Sequence, residues 1–179
     1  VAPSGLGNYP FTGTTCTNYA PTGVATNLTL SNISPTGITC NTNVASNIFG
    51  GSSSWGTAFS SGKYLEFTAT PDANFLLTAT SVVFDAWRSS AGAQNYTLRS
   101  SLDSYGSDIA TGSVTTTQTT ITVNLSSSFQ NLSSAVTFRI YGWGGNSTGD
   151  YRLDNITLNG YLTPSCTPPA AASGISTSN

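Results

Sequence analysis

The chain has 179 residues, only 7% of them charged, a formal net charge of −2 and no histidine. So weak a field argues against nucleic acid or an anionic bilayer as partner. The lack of histidine excludes a Ser-His-Asp triad or a Cys–His dyad. The length suits one domain around one core. Nearly a third of the residues are Ser or Thr, a bias that favours strands and turns over helices. Few lysines and arginines, no methionine and abundant Asn, Gly, Thr and Ser fit an extracellular bacterial module better than a cytosolic enzyme.

Residues 1–20 are rich in Gly, Pro, Thr and Asn and are expected to run irregularly over the surface. The N-terminus VAPSGLGNYP carries no basic and apolar signal pattern. In an exported protein Cys16 and Cys40 can close a short loop, and a disulfide between them is expected to contribute about 3 kcal/mol. Three reduced thiols are the alternative. Strand-like alternation follows at 27–33, 62–70, 75–87, 95–101, 119–125, 136–143 and 151–162. Turn signals separate these runs at 35–37, 50–51, 71–72, 90–92 and 144–146. Short strands at this spacing, with no helical connections, predict an all-β, antiparallel two-sheet β-sandwich. Within it, residues 136–160 read as two strands joined by a Gly/Asn/Ser turn. Alternation ends near Leu162, so the domain is expected to span 1–162. The Pro/Ala/Ser-rich remainder, 163–179, reads as a linker toward a further domain, in which Cys166 would have its partner elsewhere.

The alternation also sorts the side chains into faces. Val136, Phe138 and Ile140 point to a core, whereas Arg139, Tyr141 and Trp143 point away from it. Asp85 and Trp87 alternate with Phe84 and Ala86, and Arg99 alternates with Leu98. If these strands are neighbours in one sheet, Asp85, Trp87, Arg99, Arg139, Tyr141 and Trp143 form a single polar and aromatic surface. Indole and phenol rings stack on the C–H face of a pyranose, while Arg and Asp hydrogen-bond to hydroxyl pairs. The alternative is that the charged members form structural ion pairs and the rings cover a sheet edge. Trp55, in a Gly/Ser loop, is expected to cap or fill the sandwich rather than touch a ligand.

Chemistry beyond binding has little support. No Cys/His cluster offers zinc geometry. Glu66 is the sole glutamate, and pairing it with Asp85 across a sugar is the one conceivable hydrolytic arrangement. A non-catalytic role is therefore expected. The threonine-rich run 115–123 reads as an edge strand rather than an ice- or crystal-binding plane. Seven Asn-x-Ser/Thr sequons, the first at Asn27 and the last at Asn155, are the chance product of the composition. No apolar run of 18 residues or more is present, so no membrane insertion by a helix is expected.

The pieces GKYLEFTATPD (62–72), TSVVFDAWRSSAGAQNYTLRSSLDSY (80–105), IATGSV (109–114), TFRIYGWGG and YRLDNITLNG (137–160) resemble a jelly-roll module of large exported bacterial surface proteins, often type IX secretion substrates. Such modules are similar to carbohydrate-binding jelly rolls. The final strand of those relatives often reads aromatic-x-(Leu/Ile)-Asp-(Asp/Asn)-(Ile/Val), as Tyr151 to Ile156 does here. The resemblance implies that Asp154 is a candidate ligand of a structural calcium ion. The carboxylate that an early strand supplies in those relatives has no counterpart, since residues 1–60 contain no Asp or Glu. The implied role is a secreted or cell-surface module that binds a polysaccharide or cell-surface glycan and works beside other domains of the same chain. A structural spacer, stalk or filament-forming domain is the rival expectation.

Overall fold

In the computed structural model residues 2, 4–13, 16, 19–41, 48–52, 55–146 and 149–165 are described. Among them the chain forms β1 (Ser4–Tyr9), β2 (Leu28–Leu30), β3 (Ser34–Thr36), β4 (Thr39–Cys40), β5 (Phe49–Ser52), β6 (Tyr64–Pro71), β7 (Phe75–Arg88), β8 (Asn95–Ser100), β9 (Ala110–Ser113), β10 (Thr119–Asn124), β11 (Val136–Trp143) and β12 (Asp150–Pro164). Among the described residues, helical turns are confined to Ser101–Asp103 and Ser127–Phe129. The strands build two antiparallel sheets. In the first the order is β10-β7-β12-β5-β4, with β1 also paired to β12; in the second it is β2-β6-β11-β8-β9, with β3 also paired to β6. The protein is thus an all-β, two-sheet sandwich of the expected jelly-roll type.

Alternation explains which sequences line the interior. Leu65, Phe67 and Ala69 of β6, Leu98 of β8 and Val136, Phe138 and Ile140 of β11 face Leu77, Val82, Phe84 and Ala86 of β7 and Leu153, Ile156 and Leu158 of β12, each 1% exposed or less. Phe67, Phe138 and Phe129 stack in sequence, with ring centroids 5.4 and 5.6 Å apart. Strand β12 keeps Leu153, Ile156 and Leu158 all inward because its pairing with β7 slips between Asp154 and Thr157. Such a bulge re-aims the strand by one residue, and Asn155 takes it up with a φ of +49°.

Several expectations need correction. Strands β11 and β12 do not pair with each other, because β11 lies between β6 and β8 and β12 lies in the opposite sheet. The glycine-rich segment after Trp143 therefore crosses between the sheets instead of closing a hairpin. The stretch expected to be irregular, 1–20, contributes β1, which pairs with Ser4 opposite Gly160 and Tyr9 opposite Ile156. The short strands β3, β4, β5 and β9 were not legible as alternation. Strand β12 runs two residues past the expected boundary at Leu162, while Cys166 and the rest of the expected linker to residue 179 lie outside the described residues. The threonine-rich run supplies β10, an edge strand on β7.

Cys16 and Cys40 are joined by a disulfide, with Cα atoms 5.7 Å apart. Trp55 is 2% exposed and meets Tyr151 edge-on at 5.1 Å. Gly142 makes this seat possible, because a Cβ there would come within 2.5 Å of the Tyr151 ring and 3.0 Å of the Trp55 ring. Trp55 fills the sandwich, as its loop position suggested.

Candidate ligand-binding face

The outer face of the second sheet carries two registered rows. Across β6, β11 and β8, Glu66 stands opposite Arg139 and Arg139 opposite Arg99. Two guanidinium groups side by side repel each other unless each is matched. Here Arg139 Nε donates to Glu66 Oε2 at 2.9 Å and Arg99 Nε to Asp108 Oδ1 at 2.6 Å. The row therefore reads minus, plus, plus, minus and is neutral. Burial alone would lower the pKa of the Arg139 guanidinium, but the Glu66 carboxylate and the Tyr141 hydroxyl outweigh it and hold the charge in place. The second row sets Tyr64 opposite Tyr141 and Tyr141 opposite Thr97, and the Trp143 indole Nε1 donates to Thr97 Oγ1 at 3.2 Å.

Two loop aromatics lie above these rows. Phe59 packs on Tyr141 at 5.2 Å, with the Arg99 guanidinium 4.5 Å from its ring centre. Tyr105 sits 3.6 Å from the Arg139 guanidinium, whose other flank meets Tyr64 at 4.0 Å. Contacts of this kind hold a ring and a cation in mutual register. Tyr105 is fixed further through its backbone: its N–H donates to the Ser100 carbonyl at 2.9 Å, and its own carbonyl accepts from Arg99 Nη1 at 3.0 Å. Ser104 and Tyr105 have φ values of +58° and +62°, a left-handed conformation that costs a non-glycine residue roughly 1–3 kcal/mol and persists where surrounding contacts enforce it.

The six residues assigned to one surface are divided by this topology. Arg99, Arg139, Tyr141 and Trp143 share the outer face of the second sheet. Asp85 and Trp87, on β7, lie on the outer face of the first, so the single six-residue surface does not form. Alternation reveals which way a side chain points but not which sheet holds its strand. Tyr141 is only 1% exposed because Phe59 covers it, so its ring supports the face from beneath. Phe59, 37% exposed, Tyr64 and Tyr105 were missed as candidates. The Tyr64 signal was present, since Tyr64 alternates with Leu65 in the same strand as Glu66. Phe59 and Tyr105 lie in loops, where no periodicity marks them.

On the other face, Asp85 stands directly opposite Asp154. Burial would raise the Asp85 carboxyl, but hydrogen bonds donated by Thr120, Asn155 and Gln118 hold it below the usual carboxylate range. Asp154 goes the opposite way. Burial raises it, the Asn155 N–H at 2.8 Å offsets part of that, and the facing Asp85 charge adds to the rise. Trp87 is half-buried beside Arg152, its partner on β12. Calcium takes six to eight oxygen ligands. Here two carboxylates face each other, and both already accept hydrogen bonds. Among the described residues no group of three or more His, Cys, Asp or Glu side chains that could hold a metal forms.

No protein-family model matches the sequence, and no curated protein matches it. Solved structures do share the architecture. A variant of a family 29 carbohydrate-binding module complexed with mannohexaose superposes with a TM-score of 0.50 at 10% identity, over 89% of this chain and 93% of that one. Another family 29 carbohydrate-binding module gives 0.49 at 11% identity, covering 89% and 90%. The adhesin domain of Lys-gingipain from Porphyromonas gingivalis gives 0.45 at 12% identity, covering 88% and 99%. At this identity the likeness is one of fold, a β-sandwich of the kind that carbohydrate-binding modules have.

Proposed function

We propose that the protein is a non-catalytic glycan-binding module, and that the outer face of the second sheet is its binding surface. The observation that carries this reading is the pair of loop rings, Phe59 and Tyr105, each held against a guanidinium that is itself neutralised by a carboxylate. Rings fixed in this way lose little freedom when a sugar stacks on them, which lowers the cost of association. With Trp143 at the end of β11 they offer apolar faces for the C–H side of a pyranose. Because Arg99 and Arg139 are matched within the protein, the ligand class is a neutral glycan rather than a uronic acid or sulfated chain. The Cys16–Cys40 disulfide supports a secreted or cell-surface setting, and the shared fold supports the polysaccharide or cell-surface glycan partner. Neighbouring domains of a larger exported chain belong to the same reading.

The experiment is a polysaccharide and glycan binding screen with the purified protein, with calcium and with a chelator. Binding to a neutral glycan that falls at least tenfold in Tyr105→Ala and Phe59→Ala, with the fold retained by circular dichroism, is expected. A chelator effect would bring an ion at Asp154 into the function. No binding across a broad panel, or binding indifferent to both substitutions, would overturn the proposal in favour of a spacer or self-assembling domain.

A further inference from the structure

One edge of the sandwich holds a cavity of about 420 Å³ that the aromatic face does not use. Its walls come from both sheets: Ser100 at the end of β8 with Asp103, Asp108 and Ile109 after it, and Ser128 and Phe129 after β10. The size lies within the range of sites for small molecules.

Ser100 is the telling residue. It is 3% exposed and stands opposite Phe138 in the ladder, so its side chain faces inward and forms part of the cavity wall. A hydroxyl on a cavity wall can exchange its hydrogen bond to water for one to a ligand. This one opens onto the cavity. Asp108 contributes a carboxylate whose Oδ1 is engaged by Arg99, and Asp103 contributes one whose Oδ2 accepts the Ser107 N–H at 2.8 Å. No cation lines the cavity, so an anion would meet two carboxylates and no counter-charge. Ile109 and Phe129 supply an apolar floor.

The geometry points to a second binding site, distinct from the aromatic face and linked to it through the Arg99–Asp108 pair and the Tyr105 N–H to Ser100 carbonyl hydrogen bond. Its ligand is a neutral, hydroxyl-rich ring of monosaccharide size, whose hydroxyls meet Ser100 and Asp108 while its C–H face lies against Leu102 and Ile109. The ring is either a free sugar or the terminal residue of a glycan chain.

The test is an amide chemical-shift titration of the whole protein with glucose, mannose and galactose, each offered as the free sugar and as its hexasaccharide. Shifts at Ser100, Ile109 and Phe129 are expected. Ser100→Ala is expected to weaken them by about five- to tenfold with an unchanged melting temperature. Ser128→Phe, which fills the cavity from an exposed position, is expected to abolish them. Shifts with free sugar identify that source, and shifts with hexasaccharide alone identify a chain end. No shift at these amides with any probe, or shifts that both substitutions leave intact, would overturn the inference. Amides of Tyr64 and Trp143 report the aromatic face separately, so either site can fail without the other.

Discussion

The two outer faces of the sandwich are built from the same kind of alternating strand, yet they treat charge in opposite ways. On the second sheet Glu66, Arg139, Arg99 and Asp108 form two ion pairs of opposite orientation, with aromatic rings laid over the cations. On the first sheet Asp85 and Asp154 face each other with like charge, and Thr120, Gln118 and Asn155 absorb the repulsion by hydrogen bonding. A cation under a ring can be matched by a carboxylate and still leave the far side of the ring available. A carboxylate bonded to amides and hydroxyls presents only a hydrated polar skin. The contrast is why ligand stacking is assigned to one face alone.

The sharpest way to break the comparison is to remove one ring from each face. Tyr105→Ala or Phe59→Ala is expected to lower glycan affinity at least tenfold, whereas Trp87→Ala on the opposite face stays within about twofold by calorimetry; a larger loss from Trp87→Ala would reverse the assignment. Next in size is Arg139→Met, which strands Glu66 and removes the contacts with Tyr64 and Tyr105. It is expected to cost about 1–2 kcal/mol in urea unfolding, a figure reduced for partial exposure of the pair. Adding Glu66→Gln should return part of that cost, and strict additivity would show the pair to be uncoupled.

Smaller again is the response to salt. Since the charged row is matched within the protein, raising ionic strength from about 0.05 to 0.5 M should change affinity for a neutral glycan by less than about twofold, although the Debye length shortens several-fold. A steep loss would mean that an unmatched guanidinium meets the ligand.

The smallest effect belongs to the first sheet. Burial and the facing Asp85 charge favour neutral Asp154, so its folded pKa lies above its unfolded value, and ionisation at neutral pH subtracts stability. Asp154→Asn is therefore expected to stabilise by a few tenths of a kcal/mol, and at most about 1, near pH 7. The gain should vanish as pH falls through the ordinary aspartate range near 4, where wild-type Asp154 is protonated as well. Asp85 has the opposite sign. Its depressed pKa contributes stability above its unfolded value that is lost as pH falls, so Asp85→Asn should destabilise at pH 7 and lose its effect in acid.

Long strands were legible because their side chains alternate between oil and water. Val136 to Trp143 matches β11 residue for residue, and 75–87 matches β7 but for Arg88. Strand β1 was hidden because Gly5 and Gly7 leave SGLGNY without alternating side chains, and β5 because Gly50 and Gly51 do the same. Sheet membership was hidden for a deeper reason. Residues 85–87 and 139–143 carry the same local pattern, and only long-range pairing decides that β7 joins β10 and β12 while β11 joins β6 and β8. Arg99, Arg139 and Trp143 could be set on one face from alternation because they lie on strands. Tyr105 was not, because a left-handed loop backbone places it.

The three tryptophans occupy three unlike surroundings: Trp55 in the interior against Tyr151, Trp87 half-buried on the first sheet, and Trp143 beside Thr97 on the second. The chain thus carries its own set of optical reporters. Indole emission from Trp55 should be blue-shifted and shielded from iodide and should follow global unfolding, while Trp143 should respond to occupation of the second sheet and Trp87 should serve as an internal reference, so that one spectrum separates loss of ligand from loss of fold.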